Sequence, residues 1–188
     1  MSVHAREDGD EGSGVITLDD LRAICTRTKA SVLERFVEPL NDAMKEFSID
    51  ANPARETHFL AQVAHESGGF NYVRELASGE VYEGRADLGN TEPGDGVRYK
   101  GRGLIQITGR SNYAECGAAL GLDLIANPEL LEQPINAARS AGWFWDSRNL
   151  NELADRGDTK GITKRINGGL TGYQDRLTYL ALAQERLA

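Results

Sequence analysis

Glu66 and Glu75 are the carboxylates whose setting in the chain best suits acid–base chemistry. Glu66 closes the stretch Phe59-Leu60-Ala61-Gln62-Val63-Ala64-His65-Glu66, and Gly68-Gly69 follows it. The spacing of Phe59, Leu60 and Val63 predicts a helix, and the paired glycines predict its end. Glu66 then lies in the last turn, where a carboxylate faces the negative end of the helix dipole. It must either hold its proton more firmly or find a cationic partner. A carboxyl that keeps its proton near neutrality is what a general acid requires. Glu75 is the next carboxylate, beyond the glycine turn, and a reversal there would set the two across a groove. Two facing carboxyls are the minimum apparatus for hydrolysing a glycosidic bond. Glu80, Glu83, Asp87, Glu92 and Asp95 compete for the second role, and spacing does not choose among them.

Other chemistries fit less well. His58 and His65 are two helical turns apart, but Ser67-Gly68-Gly69 follows His65-Glu66, so the HExxH zinc spacing is absent. No GxSxG is present, and Cys25 and Cys116 each lack a CxxC partner. No metal or cofactor is implied. In the run from Tyr99 to Thr108, the glycines Gly101 and Gly103 do not have the spacing of a dinucleotide loop. Read as a strand, Leu104–Thr108 puts the Gln106 amide and the Thr108 hydroxyl on one side, able to bind sugar hydroxyls or hold a water.

The elements that would position these groups are mostly helical. Thr17 should cap a short helix to about Cys25, with Asp19 and Asp20 in its first turn. Ser31-Val32-Leu33-Glu34 has the form of a capping box opening a helix to about Phe47. Asn52-Pro53 should start the Glu66 helix, with Glu56 favoured near its positive end. Gly79, Gly84, Gly89, Gly94, Gly96, Gly101 and Gly103 punctuate the next segment, which predicts loops and a small sheet of two or three strands. Helices are expected from Ser111 to Leu120, from Ile135 to Trp145, from Asp158 or Thr159 to Asn167, and from Tyr173 to Leu187. The fold class is therefore α+β and predominantly α-helical, with two lobes and a glycine-rich sheet insert beside a cleft. Residues 1–14 are polar and acidic and are expected to be a disordered tail; residues 15–188 are expected to form one domain.

With a net charge of −8 over 188 residues and no Lys/Arg-rich run, nucleic acid is an unpromising partner. The same sign opposes unaided binding to anionic membranes or wall polymers, but not to neutral glycans. No apolar run is long enough to span a membrane.

Taken in order, His65-Glu66-Ser67-Gly68-Gly69, Tyr99–Thr108, Asn112-Tyr113, Ile166-Asn167-Gly168-Gly169 and Gln174-Asp175-Arg176 resemble glycoside hydrolase family nineteen, which holds plant-type chitinases and phage or prophage endolysins. The resemblance implies a lysozyme-like fold and an inverting hydrolase of β-1,4-linked amino-sugar polymers. Glu66 matches the general acid, Glu75 the general base, and Thr108 the residue that helps hold the attacking water. Gln106, Asn112 and Asn167 match substrate contacts, and Arg176 matches an arginine near the carboxylates. Leu104 replaces the proline and Thr171 a carboxylate found in plant members, whose disulfides are also missing. These departures point to the endolysin branch and to peptidoglycan as substrate; chitin, or a non-catalytic glycan-binding role, is the alternative. The N-terminus does not resemble a signal peptide. The expectation by analogy is a monomer made in the host cytoplasm that reaches the wall with help from a holin-like protein.

Overall fold

The computed structural model describes residues 15–188; the expected tail, residues 1–14, lies outside them. Helix α1 (Leu18–Ile24) opens on a capping box. The Asp20 amide donates to Thr17 Oγ1, and the Thr17 amide to the Asp20 carboxylate. Helix α2 (Ala30–Glu46) begins earlier than Ser31, after Lys29, with no side-chain cap. Ser31 is thus already helical and cannot act as the cap, so the expected second box does not form. Helix α3 (Pro53–Glu66) starts and stops where the sequence places it, with Asn52 Oδ1 accepting from the Arg55 amide at 3.0 Å. Every residue from Glu56 to Ala64 is buried, which makes α3 the central rod of the molecule. Glu56 is therefore no solvated dipole partner: the residue is 5% exposed, and burial, with Asp50 adding repulsion, pushes its carboxyl up to about 7.

Among the described residues there are no strands, so the expected small sheet is a correction. What remains is two isolated bridges, Arg74 with Arg102 and Arg102 with Ile107. The cause lies at Gln106, whose φ of 55° turns the chain back within the run that would have been a strand. The segment before it folds as single 3-10 turns, Glu80–Tyr82 and Ala86–Leu88, and one turn of helix, α4 (Asp95–Arg98). Asp95, buried, accepts two 2.8 Å hydrogen bonds from Arg110 and ties this segment to α5 (Arg110–Leu120). Ser111 does not cap α5. The buried Asn90 does so from twenty residues earlier, accepting from the Arg110 amide at 2.8 Å.

Helices α6 (Pro134–Ser147), α7 (Leu150–Asp155), α8 (Thr159–Asn167) and α9 (Tyr173–Leu187) complete the body. The six-residue α7 was not anticipated. Two cores result. The larger is built mainly from α1, α2, α3 and α6, with Phe59 edge-on to Trp145 at 5.4 Å; the smaller collects Tyr99, Ile107, Tyr113, Cys116 and Leu131. Phe47 and Phe144 pack against both and join them. α3 lies along α9 and α2 along α6, so the C-terminal end of α3 meets the N-terminal end of α9. That crossing sets the geometry of the site.

Candidate active site

Beyond Glu66 the chain makes three successive left-handed residues, Gly68, Gly69 and Phe70 (φ 58°, 69° and 67°). Glycine takes this conformation without strain, and Phe70 is held in it by its amide donating to Ser67 Oγ at 2.9 Å and by burial of its ring against Phe36. A Cβ on Gly69 would lie 2.5 Å from Thr28 Oγ1, which donates to the Gly69 carbonyl and clamps the turn. The turn sends the chain towards Glu75, whose amide donates to the Gly101 carbonyl at 2.9 Å.

The cationic partner demanded by the position of Glu66 is Arg176. Its Nη2 is 2.7 Å from Glu66 Oε1, and its side chain is 1% exposed. Arg176 Nη1 donates to Gln62 Oε1 at 2.6 Å and its Nε to the Thr171 carbonyl at 3.2 Å. Gln62, one turn before Glu66, passes the chain on to Thr163 at 3.1 Å. A fully buried guanidinium is thus fixed from three directions and aimed at one carboxylate oxygen. Neighbouring residues add a second rung: His65 Nδ1 is 2.6 Å from Asp175 Oδ2. His58, by contrast, is buried between the Ala54 carbonyl and Thr159 Oγ1, and burial lowers its pKa.

Among the described residues, three buried side-chain oxygens lack a hydrogen bond: Glu56 Oε1, Glu66 Oε1 and Glu75 Oε1. Glu66 Oε1 has the ion pair with Arg176, outside hydrogen-bond geometry; Glu75 Oε1 has no protein partner. Buried polar atoms are nearly always satisfied, so exceptions call for a reason, and a reacting group is one. The other Glu75 oxygen accepts from the Tyr82 hydroxyl at 3.0 Å, and burial together with this bond pushes the Tyr82 phenol up. Gly101 is needed by the geometry here: a Cβ would lie 2.7 Å from Gln106 Oε1 and 2.8 Å from Glu75 Oε2. The amide and the carboxylate therefore converge over one glycine.

Gln106, Thr108 and Asn112 share a pocket of about 130 Å³ with Leu88, Trp143 and Arg148. Gln106 and Thr108 come together through a turn rather than through strand alternation. Thr108 Oγ1 donates to the Gln106 carbonyl at 3.0 Å, which leaves the hydroxyl free to accept, and Asn112 Nδ2 donates to the Thr108 carbonyl at 2.8 Å. Asn167 is exposed at the end of α8 and is not brought into this pocket. Of the rival carboxylates, Asp87 pairs with Arg85, Asp95 with Arg110, and Glu83 accepts from the Gly94 amide. The sequence reading missed Gln62 and Tyr82. A glutamine inside an otherwise apolar helical run, and the only aromatic residue between Gly79 and Arg98, were the available signals.

The fold is that of a solved chitinase. Chitinase C of Streptomyces griseus superposes with a TM-score of 0.76 at 24% identity, covering 96% of this chain and 79% of its own. The architecture is the lysozyme-like helical one. The family model described as "Chitinase class I" matches residues 49–157. A "Glycosyl hydrolase family 19 domain-containing protein" of Haemophilus influenzae is 34% identical over 157 residues, 66% of this chain and 76% of that protein. An endochitinase of Arabidopsis thaliana is 40% identical over 111 residues, 58% of this chain but only 38% of the plant protein. The chain belongs to glycoside hydrolase family 19 and is a glycoside hydrolase.

Proposed function

We propose that the protein cleaves β-1,4 glycosidic bonds of bacterial peptidoglycan with inversion, using Glu66 as general acid and Glu75 as general base. The observation that carries this reading is that Glu75 keeps a buried Oε1 with no protein partner while Tyr82 holds its other oxygen, and that a buried arginine fixes Glu66 through one oxygen only. Glu66 Oε1 faces Arg176, which leaves Oε2 as the atom that delivers a proton to the leaving oxygen. Once that proton passes to the leaving oxygen, the guanidinium stabilises the carboxylate that forms. Glu75, fixed by Tyr82 through one oxygen, takes a proton from water. Thr108, whose own proton is donated to the Gln106 carbonyl, accepts the water's second hydrogen. The water attacks the anomeric carbon from the face opposite the leaving group.

Leu104, Thr171 and the two unpaired, buried cysteines Cys25 and Cys116 support peptidoglycan over chitin, since each departs from the secreted plant pattern. Chitin is the second reading, favoured by relatives named endochitinases. The test incubates the protein with purified Gram-negative peptidoglycan and, separately, with a chitin oligomer, following reducing ends and free amino groups. Reducing ends from peptidoglycan without new amino groups are expected. Cleavage of the chitin oligomer alone would move the substrate to chitin with the same carboxylates, and new amino groups would mean peptide-bond cleavage and end the two-carboxylate reading.

A further inference from the structure

Among the described residues, Arg148 stands apart from the other partly or fully buried arginines. Arg55 pairs with Asp155, Arg102 with Glu132, Arg110 with Asp95, Arg139 with Glu46 and Arg176 with Glu66. Among the described residues Arg148 forms no ion pair. Its guanidinium carbon lies 3.5 Å from the centroid of the Phe144 ring, and Nη1 donates to Ser147 Oγ at 3.1 Å. Burial lowers its pKa, with Glu115 the one carboxylate acting against that. The side chain lines the pocket that holds Gln106, Thr108 and Asn112. A positive charge at the C-terminal end of α6 suits the helix dipole, and the stacking suits the aromatic face. Those two roles account for where the side chain lies, but leave its charged head without the carboxylate that its counterparts have.

The pocket's contents indicate what could supply one. Gln106 and Asn112 offer amides suited to sugar hydroxyls. A neutral glycan could use only the hydrogen-bond donors of a guanidinium beside them, whereas a glycan bearing acidic branches also uses its charge. In a chain of net charge −8, a local cation is also what allows an acidic polymer to approach. We propose that Arg148 is a specificity-determining residue that binds a carboxylate carried on a branch of the amino-sugar polymer, either that of a lactyl group free of peptide or one belonging to an attached peptide. This rests on the peptidoglycan reading above. A guanidinium stacked on an aromatic ring has its plane fixed, which suits the two parallel hydrogen bonds of a carboxylate.

The experiment compares wild type, Arg148→Gln and Arg148→Lys on three soluble substrates. These are uncross-linked glycan strands with their stem peptides, the same strands stripped by an amidase to bare lactyl carboxylates, and a neutral chitin hexamer. The quantity read is the ratio of kcat/KM on each charged substrate to that on the hexamer. Arg148→Gln should lower this ratio about tenfold, the loss of one partly exposed charge-assisted hydrogen bond. Arg148→Lys, which keeps the charge and loses the fixed plane, should recover most of it. A drop only on peptide-bearing strands assigns the carboxylate to the peptide, a drop only on the stripped strands assigns it to the lactyl group, whose carboxyl is an amide while the peptide is attached, and a drop on both means that Arg148 accepts either carboxylate. A ratio within twofold of wild type on both charged substrates, or an equal fall on all three, overturns the proposal while leaving the peptidoglycan reading intact. Wild-type cleavage of the hexamer alone would sink both.

Discussion

Replacing Glu56 by Gln should stabilise the protein in a way that depends on pH. Glu56 lies in the first turn of α3, the helix that ends at Glu66, and its Oε1 is buried without a partner. Burial, then the nearby Asp50, carries its pKa from 4.5 to about 7. The folded protein therefore binds a proton more tightly than the unfolded chain. Below pH 4.5 both states are protonated and the residue is neutral in its effect. As pH rises from 4.5 to about 7 the unfolded chain ionises first, so stability falls, and above about 7 the loss is complete. At 1.36 kcal/mol for each tenfold change in proton affinity, the full loss is about 3 kcal/mol. Glutamine never ionises and escapes it, at the cost of burying an amide, which is the same at every pH. Urea unfolding of wild type and Glu56→Gln at pH 4 and pH 8 isolates the term, because other titrating groups cancel between the two proteins. The variant's stability relative to wild type should rise by about 3 kcal/mol between the two pH values. A difference that does not change with pH would refute the claim that burial holds this carboxyl up.

Glu66→Gln should fold, its amide still seated against Arg176, and lose hydrolysis, while Glu75→Gln should lower kcat by about 10²–10⁴-fold; cleavage by either variant at the wild-type rate would remove that residue from the mechanism. Arg176→Met should cost about 3–5 kcal/mol in urea unfolding, because it leaves the Glu66 carboxylate without its cation and the Gln62 amide oxygen buried with no donor. Adding Glu66→Gln to that variant should restore part of the loss by removing the uncompensated charge; no coupling between the two substitutions would show that the 2.7 Å contact contributes little to stability.

Features set by neighbouring residues were legible from the sequence. Thr17 with Asp20, Asn52 before Pro53, Gly68-Gly69 after Glu66 and Asp158 before α8 all act where local rules place them, because a cap or a stop depends on a few consecutive residues. Features decided by distant packing were not. Asn90 caps α5 from another segment, and Ser31, though right in type, falls inside a helix that had already begun. The alternation from Leu104 to Thr108 suggested a strand, but Gln106 is left-handed and the run folds back on Arg102. Glu56 looked like a helix-dipole partner until the surrounding helices buried it. The need of Glu66 for a cation could be read from its place at the helix end. That Gln62 and Thr171 would hold Arg176 in position could not, since those contacts span more than a hundred residues or run through a backbone carbonyl.

The pairing of Glu66 as acid with Glu75 as base on water is reported most directly by the anomer first released. Proton NMR recorded within the first minutes of cleavage of a β-1,4-linked N-acetylglucosamine oligomer, or of soluble peptidoglycan strands should the oligomer not be cut, separates the two new reducing-end anomers before they equilibrate. Appearance of the α anomer first is predicted, because water attacks from the face opposite the leaving group. Initial release of the β anomer would mean retention through a covalent or neighbouring-group step, and would contradict the role given to Glu75.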